Sequence, residues 1–262
     1  MIRVLLALLS LTQPLQAEPL RLAVTTSFNN SGLADHLLPA IRDETGLEVA
    51  LLVVGTGQAL RLGAAGDVDA VLVHDAAAEE AFVAAGHATH RREIMYNDFV
   101  LLGPVDDPAG LGAATSAVEA FAAIANGRVP FVSRGDDSGT HKAELRLWDA
   151  AGIDPDGPWY RPVGAGMGAA LNTATAMQAY ILSDRASWLN FGNREGMALL
   201  FEGDPALFNQ YAFLPVNPVR HPHVDAAGAA RLEDWLVSDR ARTLIDGHRI
   251  AGAATFTWNA TR

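Results

Sequence analysis

Residues 47–74, LEVALLVVGTGQALRLGAAGDVDAVLVH, contain the pattern that decides the fold. The run LEVALLVVGTG is almost continuously apolar, VDAVLVH is a second apolar run, and QALRLGAAGD between them has the composition of a short helix. Continuous apolar runs are typical of parallel strands that are buried on both faces. A strand, a helix and a second strand in this order predict an α/β fold with mainly parallel sheets and right-handed crossovers.

The same alternation continues on both sides of this stretch. Towards the amino terminus, LRLAVTTS is a strand candidate, and the following segment places Leu33, Leu37 and Ile41 at helical spacing before Gly46. Towards the carboxyl terminus, helix, strand and helix patterns recur in SAVEAFAAIANG, RVPFVSR and SGTHKAELRLWDAAG, and residues 225–250 have the apolar stripes of one or two helices. Two α/β units of similar size are therefore predicted.

We predict that these units are two lobes joined by a hinge, with a ligand bound in the cleft between them. Residues 18–102 together with 216–262 are assigned to the first lobe, and residues 103–215 to the second. The chain would then cross between the lobes near Leu102–Pro104 and again near Leu214–Asn217.

Residues 1–17 have the order of a secretory signal peptide. Arg3 precedes an apolar run from Val4 to Leu11, and Pro14 and small or polar residues lead to Ala17. The run is shorter than the ~20 residues that a transmembrane helix needs. We therefore expect export to the periplasm; the alternative is a buried N-terminal strand or helix.

Composition excludes several classes of protein. The formal net charge of -11 argues against non-specific binding to nucleic acid or to an anionic membrane surface. Because the sequence has no cysteine, disulfides, thiol catalysis, thiolate metal sites and lipid-modified cysteines are excluded. We expect no cofactor and no metal site, since no carboxylate lies at a convincing spacing from the His221 and His223 pair or from the His87 and His90 pair.

Three junctions between a predicted strand and a predicted helix are rich in Ser, Thr and Gly: VTTSFNNSG (24–32), VGTGQ (54–58) and SRGDDSGTH (133–141). Each lies at the carboxyl end of a strand, where open α/β folds bind ligands, and helix N-termini offer unpaired N–H donors. Arg134 adds a charged, forked donor, and Asp136 can hold it or cap the helix. Any one junction alone is explained by an N-cap or a tight turn, but three of them with an Arg favour an oxyanion site.

A different class of function stays open at the third junction. Ser138 is followed three residues later by His141, so that a hydrolase with a Ser nucleophile and a His base is conceivable. No G-x-S-x-G elbow surrounds Ser138, and nothing supplies a third, orienting group. The Gly-rich segment VGAGMGAA (163–170) is only loosely similar to a nucleotide-binding loop.

Five long segments resemble the tungstate-binding proteins of bacterial ABC importers, and the resemblance extends from Leu20 to about Ile250 in the same order. It implies two α/β lobes of the type II periplasmic binding proteins, related in fold to molybdate-, sulfate- and phosphate-binding proteins. It also implies a monomeric, non-enzymatic protein that binds tungstate, with molybdate as a second candidate ligand, and delivers the anion to a membrane permease. The segments are residues 25–49, 54–74, 91–110, 131–148 and 164–174.

The resemblance also implies which residues bind the ligand. Val24 stands where the family has the first of three Thr residues, so Thr25 is a weaker candidate than the two residues after it. The ligand-binding residues implied by the matching motifs are Thr26, Ser27, Thr56, Ser133, Arg134, Ser138, Gly139 and Thr140.

Phosphate is the nearest alternative ligand, with sulfate a further one of the same fold, since R-x-D-x-S-G-T at 134–140 also resembles the phosphate-binding proteins. Hydrogen phosphate can donate its proton to a buried carboxylate, whereas tungstate only accepts hydrogen bonds. A phosphate site should therefore contain an Asp acceptor from the first lobe, and Asp75 is the candidate. We expect that Asp75 instead faces solvent or caps the helix that begins near Ala76.

Overall fold

The computed structural model describes residues 18–261, so the predicted signal peptide, residues 1–17, lies outside the described residues. Strands and helices alternate along most of this range, as the apolar pattern predicts. The strands are β1 (Leu20–Thr25), β2 (Val49–Val54), β3 (Ala70–Val73), β4 (Arg92–Pro104), β5 (Phe131–Ser133), β6 (Tyr160–Pro162), β7 (Tyr180–Asp184), β8 (Met197–Phe201), β9 (Phe208–Pro215), β10 (Arg249–Ile250), β11 (Ala253–Ala254) and β12 (Thr257–Trp258). The α-helices are α1 (Thr26–Asn30), α2 (Leu33–Thr45), α3 (Thr56–Ala65), α4 (Ala76–Ala84), α5 (Ala117–Gly127), α6 (Gly139–Ala150), α7 (Met167–Met177), α8 (Arg185–Asn190), α9 (Ala226–Leu236) and α10 (Asp239–Gly247).

The first lobe is built on strands in the order β2-β1-β3-β9. β1 runs parallel to β2 and β3, and β9 returns antiparallel to β3. Successive residues of β1 pack on opposite faces: Leu22 and Val24 lie in a cluster with α2, α9 and α10, and Ala23 lies in a cluster with α3 and α4. Helices therefore cover both faces of this sheet, as a continuous apolar strand requires.

The second lobe continues the sheet in the order β4-β7-β5-β6. β5 runs parallel to β6 and β7, whereas β7 and β8 are antiparallel to β4. Phe131 packs with α5 and α6 on one face, and Val132 packs with α7 and α8 on the other. The predicted two-lobed α/β fold is confirmed, and its antiparallel pairs in both lobes come chiefly from β4 and β9.

β4 is shared between the lobes. Its residues Arg92–Asp98 pair with β9, and Phe99–Leu102 pair with β7. Leu207, just before β9, still packs in the second lobe. The chain therefore passes from the first lobe to the second at Asp98–Phe99 and returns to the first lobe just before Phe208.

These changes of partner lie a few residues before the predicted crossings near Leu102–Pro104 and Leu214–Asn217. Residues 99–102 consequently pack in the second lobe, and residues 208–215 form a first-lobe strand. A continuous apolar strand is buried both before and after such a crossing. Its sequence therefore does not show at which residue its neighbouring strand changes from one lobe to the other.

The position of β2 also differs from the expectation of a fully buried strand. It is parallel to β1 as predicted, but it lies at the edge of the sheet, and the exposed fraction of Val53 is 38%. Within residues 18–261, no helix has both the length and the hydropathy to cross a membrane.

Candidate functional site

A cleft of about 610 Å³ lies between the lobes, at the carboxyl ends of the parallel strands. The N-termini of α3, α6 and α7 reach it, and each brings unpaired N–H groups and about half a positive charge. The cleft is lined by Thr26, Ser27, Asn30, Gly55, Gly57, Gln58, Arg61, Arg134, Asp136, Asp137, Ser138, Gly166, Met167, Gly168, Ala169 and Ser187.

At the end of β1, Thr26 and Ser27 line the cleft, and Thr25 is buried behind them. Thr25 Oγ1 accepts a hydrogen bond from the N–H of Phe28 and so caps α1. Thr26 and Ser27, the stronger candidates in the sequence, therefore lie at the cleft surface, and Thr25, the weaker candidate, lies behind it.

At the start of α3, the residues on either side of Thr56 reach the cleft surface. Thr56 is buried and does not line it, whereas Gly55, Gly57 and Gln58 do. Gly55 is the N-cap residue and has no side chain to cap the helix. Within residues 18–261, no side chain accepts a hydrogen bond from the N–H groups of Gly57 or Gln58, so both amides are available to a ligand.

Arg134 follows β5 and is held at the cleft by neighbouring groups. Its guanidinium forms an ion pair with Asp136, and its Nε donates to the carbonyl oxygen of Ala165 at 3.4 Å. Asp136 Oδ1 also accepts from the N–H of Ser138 at 3.2 Å. Burial of Asp136 opposes its ionisation, but the hydrogen bonds from Ser138 and the charge of Arg134 together lower its pKa. Asp136 therefore stays ionised and orients the Arg134 fork, one of the two roles predicted for it.

The loop that carries Arg134 turns sharply at Gly135. This residue has φ of 58°, in the left-handed region that favours glycine. An added Cβ would lie 2.9 Å from the Cβ of Pro162 on β6. The close approach fixes the loop against the neighbouring strand and aligns Arg134 with the cleft.

Of the eight predicted ligand-binding residues, four line the cleft and four are buried without lining it. Ser138 is on the surface as the N-cap of α6, with its Oγ accepting from the N–H of His141. The four residues at the surface are Thr26, Ser27, Arg134 and Ser138. The four buried residues are Thr56, Ser133, Gly139 and Thr140.

Sequence reasoning missed the contribution of α7. Gly166, Gly168 and Ala169 line the cleft, and because the N-cap residue is Gly166, no cap side chain competes for the first amides of this helix. The Gly-rich segment 163–170 is only loosely similar to a nucleotide-binding loop, so its sequence did not indicate that it lines an oxyanion site. Ser187, in the first turn of α8, was also missed, although it follows strand β7 in the same way.

Asp75 does not line the cleft in the described structure. It is the N-cap residue of α4, with Oδ1 accepting from the N–H of Ala78 at 3.3 Å. It also lies 3.5 Å from Lys142 Nζ and 3.9 Å from Arg146, both on α6 of the opposite lobe. The predicted helix cap is confirmed; the residue is buried rather than facing solvent, because cations of the second lobe cover it.

Each carboxylate nearest the cleft has at least one partner in the described structure, although one oxygen of Asp184 has none. Asp136 pairs with Arg134, and Asp137 lies 3.9 Å from Lys142. Asp184 is buried behind the surface and accepts from the N–H of Ser187 at 2.8 Å, and its burial raises its pKa. Among residues 18–261, the lining therefore presents mainly hydrogen-bond donors, which suits a ligand that only accepts.

The geometry does not form the nucleophile–base pair of a hydrolase. Ser138 Oγ accepts from the backbone of His141, and His141 Nδ1 accepts from the N–H of Asp137 at 3.1 Å. His221 and His223 donate to carbonyl oxygens near the end of α3. Within the described residues, no three His, Asp or Glu side chains are grouped to hold a metal ion.

Comparison with known proteins gives relatives over nearly the whole chain. The model of the PBP superfamily domain matches residues 13–240. The tungstate-binding protein TupA of Peptoclostridium acidaminophilum is 46% identical over 245 residues, which cover 92% of this chain and 86% of that protein.

Solved structures of similar proteins have the same fold. A tungstate-binding protein TupA from Desulfovibrio alaskensis superposes with a TM-score of 0.84 at 41% identity, covering 94% of this chain and 100% of the other. The structure described as the tungstate ABC transporter from Geobacter sulfurreducens superposes with a TM-score of 0.81 at 44% identity, covering 88% and 98% of the two chains.

Proposed function

This chain belongs to the PBP superfamily and, within it, to the family of the tungstate-binding proteins, and we propose that it binds tungstate in its cleft for an ABC importer. The observation that carries the proposal is the convergence of Arg134 with the uncapped N-termini of α3 and α7. An oxyanion with four acceptor oxygens requires such donors from several directions. Molybdate has the same charge and shape, so we include it as a second ligand.

The position of Asp75 favours tungstate over hydrogen phosphate. In the described structure, Asp75, the acceptor that a phosphate site would need, is engaged with α4 and with Lys142. The O–H group of hydrogen phosphate needs a hydrogen-bond acceptor. In a site that offers mainly donors this proton would stay unpaired, which costs binding free energy. Sulfate is also an all-acceptor dianion, so it must be tested directly.

The transport role includes several further proposals. We propose that the protein is exported to the periplasm, acts as a monomer without enzymatic activity and passes its ligand to a membrane permease. The signal-peptide pattern of residues 1–17 supports export. The names of the similar proteins support the transport role, and the different hydrogen-bond partners of Ser138 Oγ and the His141 ring support the absence of a hydrolytic site.

Calorimetric titration of the purified protein with tungstate, molybdate, sulfate and hydrogen phosphate tests the proposal. We expect tight binding of tungstate, binding of molybdate and much weaker binding of the other two anions. Tight binding of phosphate with no heat from tungstate would overturn the choice of ligand. Turnover of a generic ester that disappears in Ser138→Ala would instead support a hydrolase.

A further inference from the structure

Ser27 lines the cleft and lies at the centre of a polar cluster that is buried beneath it. Ser27 Oγ is 3.2 Å from His74 Nε2, 3.1 Å from Tyr211 OH and 3.0 Å from Thr25 Oγ1. All four side chains are at most 8% exposed. We call Thr25, Ser27, His74 and Tyr211 the Ser27 cluster. A serine hydroxyl has one proton and two lone pairs, so the direction of each bond in this cluster decides what Ser27 can offer a ligand.

The surroundings of His74 select one form of its ring. Its Nδ1 is buried and makes no well-formed hydrogen bond within residues 18–261, and the Asn209 side chain lies near the ring. The ring also packs against α6, because a Cβ added at Gly139 would lie 2.3 Å from His74 Cε1. A buried N–H without a partner is rarer than an unpaired acceptor, so the proton belongs on Nε2, facing Ser27. Burial lowers the pKa of His74 to about 4, which keeps the ring neutral at neutral pH.

Tyr211 is the second donor to Ser27. Burial raises the pKa of its phenol, so the hydroxyl keeps its proton. Its oxygen lies 3.1 Å from Ser27 Oγ, and the side chains of Thr25 and Asn97 also lie within hydrogen-bonding reach of it. The His74 and Tyr211 rings also contact each other, with centroids 4.7 Å apart, which keeps both donors directed at the same oxygen.

We infer that His74 and Tyr211 fill both lone pairs of Ser27 Oγ and thereby fix the Ser27 hydroxyl as a donor to the bound oxyanion; the inference rests on the proposed function. Without ligand, the Ser27 proton can point to Thr25 Oγ1, which already accepts from the N–H of Phe28. A dianion in the cleft is a stronger acceptor than that neutral hydroxyl, so the proton turns to the ligand. His74 is then a positioning residue that acts through Ser27.

This arrangement also bears on selectivity. A hydroxyl that can only donate matches tungstate, which only accepts, and mismatches the protonated oxygen of hydrogen phosphate. A protonated anion needs an acceptor for its proton. His74 and Tyr211, which do not line the cleft, prevent Ser27 Oγ from serving as that acceptor. His74 and Tyr211 lie outside the motifs that line the cleft, so those motifs do not indicate their role.

A double-mutant cycle tests the inference through tungstate affinity. Gln at position 74 keeps an N–H donor, whereas Met has a similar length and no donor. We expect His74→Met to weaken tungstate binding by about tenfold and His74→Gln to retain most of the affinity, within about threefold. In a Ser27→Ala background, His74→Met should change the affinity by less than about threefold, since the partner through which it acts is gone.

The outcomes separate this inference from the proposed function. If the wild-type protein does not bind tungstate, both are overturned. If the wild type binds and His74→Met weakens binding equally with and without Ser27, or no more than His74→Gln does, the positioning role alone is overturned. Thermal unfolding checks that each variant folds. Where His74→Met does not fold, Tyr211→Phe replaces it, with a loss of about threefold expected in the wild type and none in Ser27→Ala.

Discussion

The two lobes bring different chemistry to the same cleft. The first lobe presents mainly neutral donors, the hydroxyls of Thr26 and Ser27 and the amides at the start of α3. Its one cleft-lining cation among the described residues, Arg61, is exposed and donates to Gln58 Oε1. The second lobe presents the buried charge of Arg134, held by Asp136, and the amides at the start of α7. A charge supplies most of the attraction to a dianion, whereas neutral donors supply direction and selectivity. The two lobes should therefore respond differently to substitution.

Removing the charge of the second lobe should have the largest effect. Arg134→Ala deletes a charge-assisted fork and leaves Asp136 unpaired beside the ligand. We expect tungstate affinity to fall by about 10- to 100-fold, as measured by calorimetry. Arg134→Lys is the matched control, because it keeps the charge and loses the fork; an intermediate affinity is expected. If Arg134→Ala binds within threefold of the wild type, the charge does not hold the anion.

The amides of α7 can be tested without changing any charge. Gly168 lines the cleft, and a Cβ added there would meet no heavy atom of the described residues within 4 Å. Gly168→Ala keeps the N–H, whereas Gly168→Pro removes it in the first turn, where proline is tolerated. We expect the Pro variant to bind tungstate about tenfold more weakly than the Ala variant. Equal titration curves for the two variants would show that this amide does not contact the ligand.

The ion pair between the lobes should have a smaller effect. Asp75 and Lys142 lie 3.5 Å apart across the side of the cleft, and opening the lobes would separate them. Because Lys142 is partly exposed, the pair contributes little, and we expect Lys142→Met to weaken tungstate binding by about threefold. Small-angle scattering of the unliganded protein should show a shift toward a more open form. Arg146→Met, which removes the more distant and more exposed cation, is the control, and a larger loss in that control would contradict this ranking.

The comparison of the lobes also shows what sequence can predict. Alternating apolar runs predicted the α/β fold, and the Ser, Thr and Gly residues after the strands predicted that these junctions lie at the cleft, while the family resemblance implied Thr26, Ser27, Arg134 and Ser138 there. These predictions depend on local order, because a strand fixes where its own carboxyl end lies.

Features that depend on which elements pack together could not be predicted in this way. His74 meets Ser27 and Tyr211 only because β1, β3 and β9 are neighbours in the sheet. The pairing of Asp75 with Lys142 depends on how the lobes face each other. The apolar pattern shows that a strand is buried but does not identify its neighbours, so these contacts had no signal in one sequence.

The smallest expected effect concerns the acidity of the cleft rim. Asp137 lines the cleft and carries a negative charge, but its side chain is 80% exposed, and solvent screens such a charge strongly. We therefore expect Asp137→Asn to change the tungstate affinity by less than about twofold, and the difference to shrink as salt is added. Titrations of both proteins at low and high ionic strength measure this. A large, salt-independent gain in affinity would mean that Asp137 acts directly on the ligand. The second lobe would then contribute a repulsive charge as well as the attractive charge of Arg134.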